Sequence, residues 1–286
     1  MDREGVIRRT RFWLADPADL PNSPFIGREK ELLMCWTAWG VGDNGTRLLD
    51  NGVPPLSFRL EGAPGLGKNE IVYELARRLD MPLYILQGHE ELTPEDMALM
   101  LTPDPDIVEG DPVRLTLRAS PLATALYEGG LFFFDEINRV PERALSPLAS
   151  VLDGRQYVYS AITGTNIGPQ DDEARARFRF CCALNPAVSD AGYALPEYIE
   201  QRTLPVIEIG KPPFEDILRI IDTALEPSPE FLDAFQTWYL QEEPEDVSVR
   251  QVMALMRYAM NYSDQVGGDK VKILRRMMSL FVGRRH

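Results

Sequence analysis

The sequence GAPGLGKN, residues 62–69, decides the fold of this chain. It follows residues 56–60, which predict a short strand, and it opens a stretch with one apolar face, residues 68–79, that predicts a helix. Gly65 and Gly67 permit backbone torsions that turn successive N–H groups toward one anion, and the helix N-terminus adds a partial positive charge. A strand, this loop and a helix in that order predict a phosphate-binding loop in an α/β fold.

The loop supplies most of the predicted nucleotide-binding residues. Lys68 is expected to contact the β- and γ-phosphates of a nucleoside triphosphate such as ATP. The next position, where Ser or Thr supplies a hydroxyl ligand for Mg²⁺ in such loops, is Asn69. The amide oxygen of Asn69 is also a hard ligand for Mg²⁺, but its reach and geometry differ from those of a hydroxyl. Two alternatives therefore stay open: metal-dependent hydrolysis, or weakened metal binding with slow or absent hydrolysis. The predicted binding residues of this region are Gly62, Ala63, Pro64, Gly65, Leu66, Gly67, Lys68, Asn69 and Glu70.

An acidic pair follows a second apolar run. Residues 131–134 are all apolar, which is typical of a strand buried on both faces of a parallel sheet, and Asp135 and Glu136 come directly after it. Open α/β sheets bind ligands at the carboxyl ends of their strands. We therefore expect Asp135 to hold Mg²⁺ and Glu136 to act as the general base toward the attacking water. The alternative is a pair of solvated acids at a strand end.

Three further polar residues complete the predicted site. Asn185 ends a predicted strand, residues 179–184, and is expected to orient the water, although Asn-Pro also begins many turns. Arg202 follows a predicted short helix, residues 196–201, and is expected to stabilise the γ-phosphate held by a neighbouring subunit. Arg250, which follows Ser248 as a plausible N-cap, is expected to reach the nucleotide from the C-terminal helices. For both arginines the alternative is an ordinary surface position.

The order of strands and helices predicts the architecture. Strands separated by helices indicate right-handed βαβ units and a three-layer αβα sandwich with a parallel sheet. Only helices are expected after residue 211, which predicts a small all-helical lid. The predicted domains are an N-terminal arm (1–24), a nucleotide-binding domain (25–210) and the lid (211–286). Within the second, one helix is expected to begin at Thr93 as its N-cap, and another to span residues 143–152.

Composition excludes several classes of protein. The formal net charge of −14 opposes non-specific binding to nucleic acid, although the basic residues among the last 17 could form a local patch or a solvated helix end. Three cysteines and two histidines, without metal-binding spacing, argue against a disulfide framework and a zinc site. With no signal-peptide pattern and no apolar run long enough to span a bilayer, a cytoplasmic protein without membrane contact is expected.

Residues 128–139, EGGLFFFDEINR, resemble the AAA+ superfamily and, within it, the MoxR-type group that includes CbbQ- and NorQ-like proteins. The resemblance continues at residues 25–29, at Asn185 (the sensor 1 position), at residues 195–202 (the arginine-finger stretch) and at residues 248–250 (sensor 2). It implies that Ile26 and Gly27 lie beside the adenine, and the choice of ATP over GTP rests on it alone. Asn69 departs from the Thr that is usual in the family.

The resemblance implies a homo-oligomeric ring, usually a hexamer, with ATP at subunit interfaces. It also implies a chaperone-like role in which a protein client is remodelled or activated, often with a partner that carries a von Willebrand factor A domain. Two alternatives stay open: a nucleotide-sensing assembly module with little turnover, and an AAA+ motor that acts on nucleic acid.

Two insertions typical of the group have counterparts here, at residues 104–117 and 156–174. In the second, Tyr157 and Tyr159 alternate on one face and are expected to line the pore or face the client, unless they pair across a hairpin. Residues 99–103 match the family poorly.

Overall fold

The computed structural model divides the chain into two compact units. The described residues are 3–42, 47–48, 55–104, 113–185, 192–242, 247–266 and 269–282. The first unit comprises residues 1–21, 30–62 and 68–208. The second comprises residues 22–29, 63–67 and 209–286.

Helices and strands alternate over much of the chain as the sequence predicts, but several strands that it did not predict follow one another with no helix between them. The strands are β1 (Glu4–Ile7), β2 (Thr10–Trp13), β3 (Val41–Gly42), β4 (Arg47–Leu48), β5 (Phe58–Glu61), β6 (Leu83–Gln87), β7 (Leu99–Pro103), β8 (Leu115–Ala119), β9 (Leu131–Asp135), β10 (Val158–Ser160), β11 (Thr165–Ile167), β12 (Arg179–Leu184) and β13 (Val206–Glu208). The helices are α1 (Glu29–Trp39), α2 (Lys68–Leu79), α3 (Pro121–Glu128), α4 (Glu142–Leu145), α5 (Leu148–Leu152), α6 (Asp172–Arg177), α7 (Glu197–Glu200), α8 (Phe214–Leu225), α9 (Pro229–Glu242), α10 (Val249–Val266) and α11 (Lys270–Val282).

A five-stranded parallel sheet forms the centre of the first unit, in the order β13-β5-β12-β9-β6. Every residue of β9 and β12 is buried, as expected for strands covered by helices on both faces. The register pairs Leu184 with Glu61 and Asp135 with Gln87, so four strands reach the same edge of the sheet together. The predicted α/β class with a parallel sheet is confirmed, and this carboxyl edge is where its polar residues gather.

The predicted helices that begin and end with strong local signals occur where they are expected. α2 spans residues 68–79 as predicted and buries Ile71 and Leu75. α3 begins at Ser120, whose side chain accepts from the Ala123 amide, and ends at Gly129 in the left-handed conformation. A side chain at Gly129 would collide with the backbone of Ala174, so this close approach requires glycine.

Two predicted helices are wrong. Thr93 does not cap a helix, because its amide and hydroxyl both donate to Asp96 Oδ2, and only a single 3-10 turn, Glu95–Met97, follows before β7 begins. The predicted helix over 143–152 is divided into α4 and α5. Pro147 lies between them and has no N–H with which to continue the helical hydrogen bonds.

A second sheet of the first unit has the order β1-β2-β8-β7. The N-terminal segment, for which the sequence predicted no strand, contributes a hairpin to it. Arg3 anchors this hairpin by donating to Glu128 at 2.5 Å and to the Tyr84 hydroxyl at 3.1 Å. Residues 99–103, which match the family poorly, form β7 at the edge of this sheet.

The second insertion contains the hairpin β10–β11. Tyr159 lies opposite Asn166 rather than another tyrosine and is exposed. Tyr157 precedes β10, and its hydroxyl accepts from Arg155 at 2.9 Å. The two tyrosines therefore do not pair with each other across this hairpin.

The second unit contains the predicted C-terminal helices α8–α11. They share an apolar core that includes Ile217, Phe235, Val252 and Met256. Among the described residues no helix is both long and apolar enough to cross a membrane. Several predicted features lie outside the described residues: most of the first insertion (105–112), Pro186 and the last four residues with Arg284 and Arg285.

Candidate nucleotide-binding site

Lys68 is a buried cation at the start of α2. Its side chain is 6% exposed, and its Nζ donates to the carbonyl of Gly62 and to Oδ1 of Asn185, both at 2.6 Å. The first bond closes the phosphate-binding loop onto its own helix, and the second reaches the end of β12. Two predicted site residues that lie 117 positions apart in the sequence are thus in direct contact.

Asn69 contacts the first of the two acidic residues. Its Nδ2 donates to Oδ2 of Asp135 at 3.0 Å. Asp135 is 8% exposed, and burial raises the pKa of its carboxyl above the usual range. The hydrogen bond from Asn69 lowers this pKa in part, while the charge of Glu136 raises it further.

These residues fit a Mg²⁺ ion. Asp135 and Asn69 can each offer a hard oxygen to one ion, and Mg²⁺ is bound in such sites by one or two protein oxygens together with substrate phosphates. Burial is the chief cause of the raised pKa of Asp135, and the nearby charge of Lys68 offsets it only in part. A divalent cation bound here would further favour the ionised carboxylate.

Glu136 is held from three sides. It has a left-handed backbone conformation, with φ 51°, at the exit of β9. Gln87 Nε2 donates to its Oε2 at 2.9 Å, Arg139 Nε lies 2.9 Å from the same oxygen, and Asn185 Nδ2 donates to its Oε1 at 3.2 Å. The amide of Asn185 therefore joins Lys68 to Glu136.

Gly88 lets the neighbouring strand approach this turn. Its amide donates to the Asp135 carbonyl at 2.8 Å, and a side chain at this position would collide with the Glu136 carbonyl oxygen. The close approach brings the end of β6, and with it Gln87, beside the acidic pair.

In the second unit, the middle of the loop lies against the start of α10. Gly65 has φ +78°, and a Cβ there would lie 2.9 Å from Ser248 Oγ and 3.1 Å from Arg250 Cβ. Ser248 and Gln251 form the capping box that begins α10, which places Ser248 at its N-cap as predicted. Arg250 is exposed, and its Cβ therefore lies beside Gly65 of the loop.

The segment before α1 also reaches this part of the loop. Arg28 Nη2 donates to the carbonyls of Leu66 at 2.9 Å and Gly210 at 2.7 Å. Gly27 is buried with φ +73°, and a side chain there would collide with Asp216. Ile26 is half-buried next to it.

The remaining predicted residues lie near the surface. Arg202 is exposed, follows α7 and donates through Nη1 to the Tyr198 carbonyl at 3.0 Å. Ala63 and Pro64 are exposed in the loop, and Glu70 is exposed on α2. Their roles in binding remain predictions.

The sequence predicted no role for Gln87, and Arg28 and Arg139 were named only as parts of the family resemblance. Arg139 carries a signal that could have been used, because it stands three positions after Glu136 and can reach back to it. Gln87 is the last residue of β6, and its relation to Glu136 depends on the pairing of β6 with β9.

Comparisons with known proteins identify the family to which the chain belongs. The family described as AAA domain (dynein-related subfamily) matches residues 57–202, a little more than half of the chain. The denitrification regulatory protein NirQ of Pseudomonas aeruginosa is 26% identical over 152 residues, which cover 53% of each chain. Protein NorQ of Paracoccus denitrificans is 28% identical over 147 residues, which cover 51% of this chain and 50% of NorQ. The chain thus matches about half the length of these two relatives.

Solved structures show the same fold at low identity. The RuvB Holliday junction branch migration motor of Thermotoga maritima aligns with a TM-score of 0.54 and 18% identity, over 91% of this chain and 72% of that chain. The fold is therefore that of RuvB-like AAA+ proteins, a parallel five-stranded sheet with C-terminal helices. On the family match, this chain belongs to the AAA domain family, dynein-related subfamily, and is a distant homologue of NirQ and NorQ.

Proposed function

We propose that this protein is an ATPase that binds ATP with Mg²⁺ and hydrolyses the γ-phosphate. The observation that carries the proposal is the position of Asn185, whose amide contacts the loop lysine at one end and Glu136 at the other. A water between these groups and the γ-phosphate would meet a base, an orienting amide and a cation at once.

Each residue of the candidate site has a separate role in the proposed hydrolysis of ATP. Lys68 moves its Nζ from Asn185 to a phosphate oxygen, which releases the Asn185 amide to orient the water. Glu136 accepts the proton of that water as the oxygen attacks the γ-phosphorus. The bond between the γ-phosphorus and the β–γ bridging oxygen breaks in the same step, and ADP leaves with that oxygen. Asp135 and Asn69 would hold Mg²⁺, which neutralises charge on the β- and γ-phosphates when bound. Arg250 would contact the nucleotide from α10.

We further propose that the active site is shared between subunits of a ring. Arg202 is exposed beyond α7 and, within the described part of the chain, its guanidinium bonds to the Tyr198 carbonyl rather than to the acidic pair, so it suits a role toward a neighbour's γ-phosphate. By analogy with the MoxR-type group, the ring would be a hexamer that acts in the cytoplasm on a protein client, with a partner that carries a von Willebrand factor A domain. The domain limits 1–24, 25–210 and 211–286 belong to this proposal.

The decisive experiment measures phosphate release from ATP and Mg²⁺ over a range of protein concentrations, for the wild type and for Glu136→Gln. We expect specific activity to rise with concentration in the wild type and to be absent from the variant, which should still bind ATP. Activity that is independent of concentration would contradict the shared site. Equal activity in both proteins would contradict the role of Glu136.

A second candidate function is a nucleotide-sensing assembly module with little turnover. It is favoured by the contact of Asn69 with Asp135, in which an amide replaces the hydroxyl that such loops offer to Mg²⁺. If the wild type binds ATP and assembles but releases no phosphate, while Asn69→Thr does, this second function replaces the first.

A further inference from the structure

Arg59 is a charged residue in the middle of the central sheet. It lies on β5, between β13 and β12, and is 8% exposed, while its neighbours Phe58 and Leu60 are fully buried. An inner strand of a parallel sheet is normally apolar throughout. A guanidinium in such a place is tolerated only when its donors are paired, because burial of an unpaired charge is costly.

The guanidinium connects β5 to the segment that follows α7. Its Nε lies 2.5 Å from Oε1 of Glu61, and its Nη1 donates to Thr203 Oγ1 at 3.0 Å and toward the Glu200 carbonyl at 3.5 Å. Thr203 is fully buried, and its hydroxyl donates in turn to the Ile199 carbonyl at 2.8 Å.

The backbone of Arg59 adds a third attachment. Its amide donates to the Pro205 carbonyl at 3.1 Å. One residue therefore binds the chain at positions 200, 203 and 205, on both sides of Arg202. By contrast, the Arg202 guanidinium is exposed and contacts the Tyr198 carbonyl of the preceding helix α7.

We propose that Arg59 is a positioning residue for Arg202: it fixes the end of α7 and the turn after it to β5, so that Arg202 is presented to the neighbouring subunit in one geometry. This inference rests on the proposed function, in which Arg202 acts between subunits. α7 is only four residues long, so its own hydrogen bonds are too few to hold it. Displacement of a catalytic group by about 1 Å lowers rates by roughly 10²-fold.

The first test compares Arg59→Met, which keeps the length but removes the donors, with Arg59→Lys, which keeps the charge. Under saturating ATP we expect kcat to fall by roughly 10²-fold in Arg59→Met and by less in Arg59→Lys. The affinity of each free subunit for a fluorescent ATP analogue should stay within about twofold, because the displaced group belongs to the neighbour's site. An unchanged kcat, or a loss of nucleotide affinity equal to the loss of kcat, would overturn the proposal.

Thr203→Val gives a second, milder perturbation. Valine has nearly the same volume as threonine and leaves the backbone bond between Thr203 N and the Ile199 carbonyl in place, but it removes the oxygen that accepts from Arg59. We expect the same pattern as in Arg59→Met, namely a reduced kcat with retained affinity. If Arg59→Met does not fold, as judged by circular dichroism, Thr203→Val decides the question by the same criteria.

Mixing of inactive variants separates this inference from the proposed function. Glu136→Gln subunits have a dead site but an intact Arg202, so they should restore hydrolysis in the sites of Arg202→Ala, Arg59→Met or Thr203→Val subunits when the two are assembled together. Restored activity also proves that the Arg59 variant is folded, since hydrolysis can occur only in its own site.

The outcomes of mixing are distinct. If Arg202→Ala is rescued by Glu136→Gln but Arg59→Met and Thr203→Val are not, Arg59 does not act through Arg202 and only this inference fails. If no pair is rescued, the shared active site itself fails and the inference fails with it. Rescue of all three is the expected result.

Discussion

At the carboxyl edge of the central sheet, Lys68, Asn185 and Glu136 are joined by hydrogen bonds between side chains that are far apart in the sequence. In the second unit, α8–α11 are joined by apolar side chains such as Phe235 and Met256 that recur at helical spacing. Hydrogen bonds at strand ends depend on the angle between donor and acceptor. Their donors and acceptors can also exchange one partner for another, such as a bound ligand. Apolar packing depends on area and shape. We therefore expect substitutions at the strand ends to change catalysis more than stability, and substitutions in the helical core to do the reverse.

The largest expected effect is on the stability of the second unit. Phe235 is fully buried on α9, with ring centroids 6.1 Å from Trp238 and 5.7 Å from Tyr239. Phe235→Ala should lower the free energy of unfolding by about 3–5 kcal/mol, because it removes apolar area and leaves a cavity. Urea unfolding measures this.

The matched control is Leu240→Ala on the same helix, where the side chain is 57% exposed. Its free energy of unfolding should change by less than about 0.5 kcal/mol. Similar losses in both variants would show that burial in the helical core does not determine how much a side chain of α9 contributes to stability.

Asn185→Ala should have the opposite profile. It removes one acceptor for Lys68 and one donor to Glu136. We expect kcat to fall by roughly 10²–10³-fold, which is the usual effect of removing one positioned hydrogen-bond donor from an active site. The midpoint of urea unfolding should change little. A large loss of stability with little loss of kcat per folded molecule would mean that the strand-end bonds serve the fold rather than the chemistry.

Asn69→Thr tests the metal ligand at the same edge. Threonine restores a hydroxyl that can both donate to Asp135 and bind the ion, so the affinity for Mg²⁺ should rise by about tenfold. Phosphate release titrated with MgCl₂ at fixed ATP measures this. If the MgCl₂ concentration that gives half-maximal activity is the same in both proteins, the amide of Asn69 binds Mg²⁺ as well as a hydroxyl does.

Asp135→Asn should show a small effect on stability that depends on pH. The folded protein raises the pKa of Asp135, chiefly by burial, so the folded state holds this proton more tightly than the unfolded state does. The contribution of the carboxyl to stability is therefore lost as pH rises from the unfolded pKa, near 4, through the raised folded value.

Thermal unfolding without Mg²⁺, compared at several pH values from about 4 upward, measures this contribution. The wild type should lose stability relative to Asp135→Asn as pH rises, while the variant should lose ATP hydrolysis at every pH. If the difference in stability between the two proteins does not change with pH, burial does not disfavour the carboxylate.

Much of the fold could be predicted from residues that are close in sequence. The loop at residues 62–69, the bounds of α2 and the buried strand β9 follow from glycine spacing, helical periodicity and a run of apolar residues. The residue types of the candidate site were predicted for the same reason, because the loop and the acidic pair are each contiguous. The helix predictions were wrong at Thr93 and at residues 143–152, where two other local features, the side chain of Asp96 and the missing N–H of Pro147, outweighed the helical pattern.

The contacts that give the site its properties were decided by the tertiary structure alone. Sequence determined that Lys68, Asp135 and Glu136 are present at the ends of predicted elements. The order β13-β5-β12-β9-β6 and its register decide that Asn185 lies between Lys68 and Glu136, that Gln87 meets Glu136, and that Arg59 reaches Thr203. The physical reason is that periodicity specifies which face of a strand is buried, whereas the choice of neighbouring strand depends on packing across the whole unit.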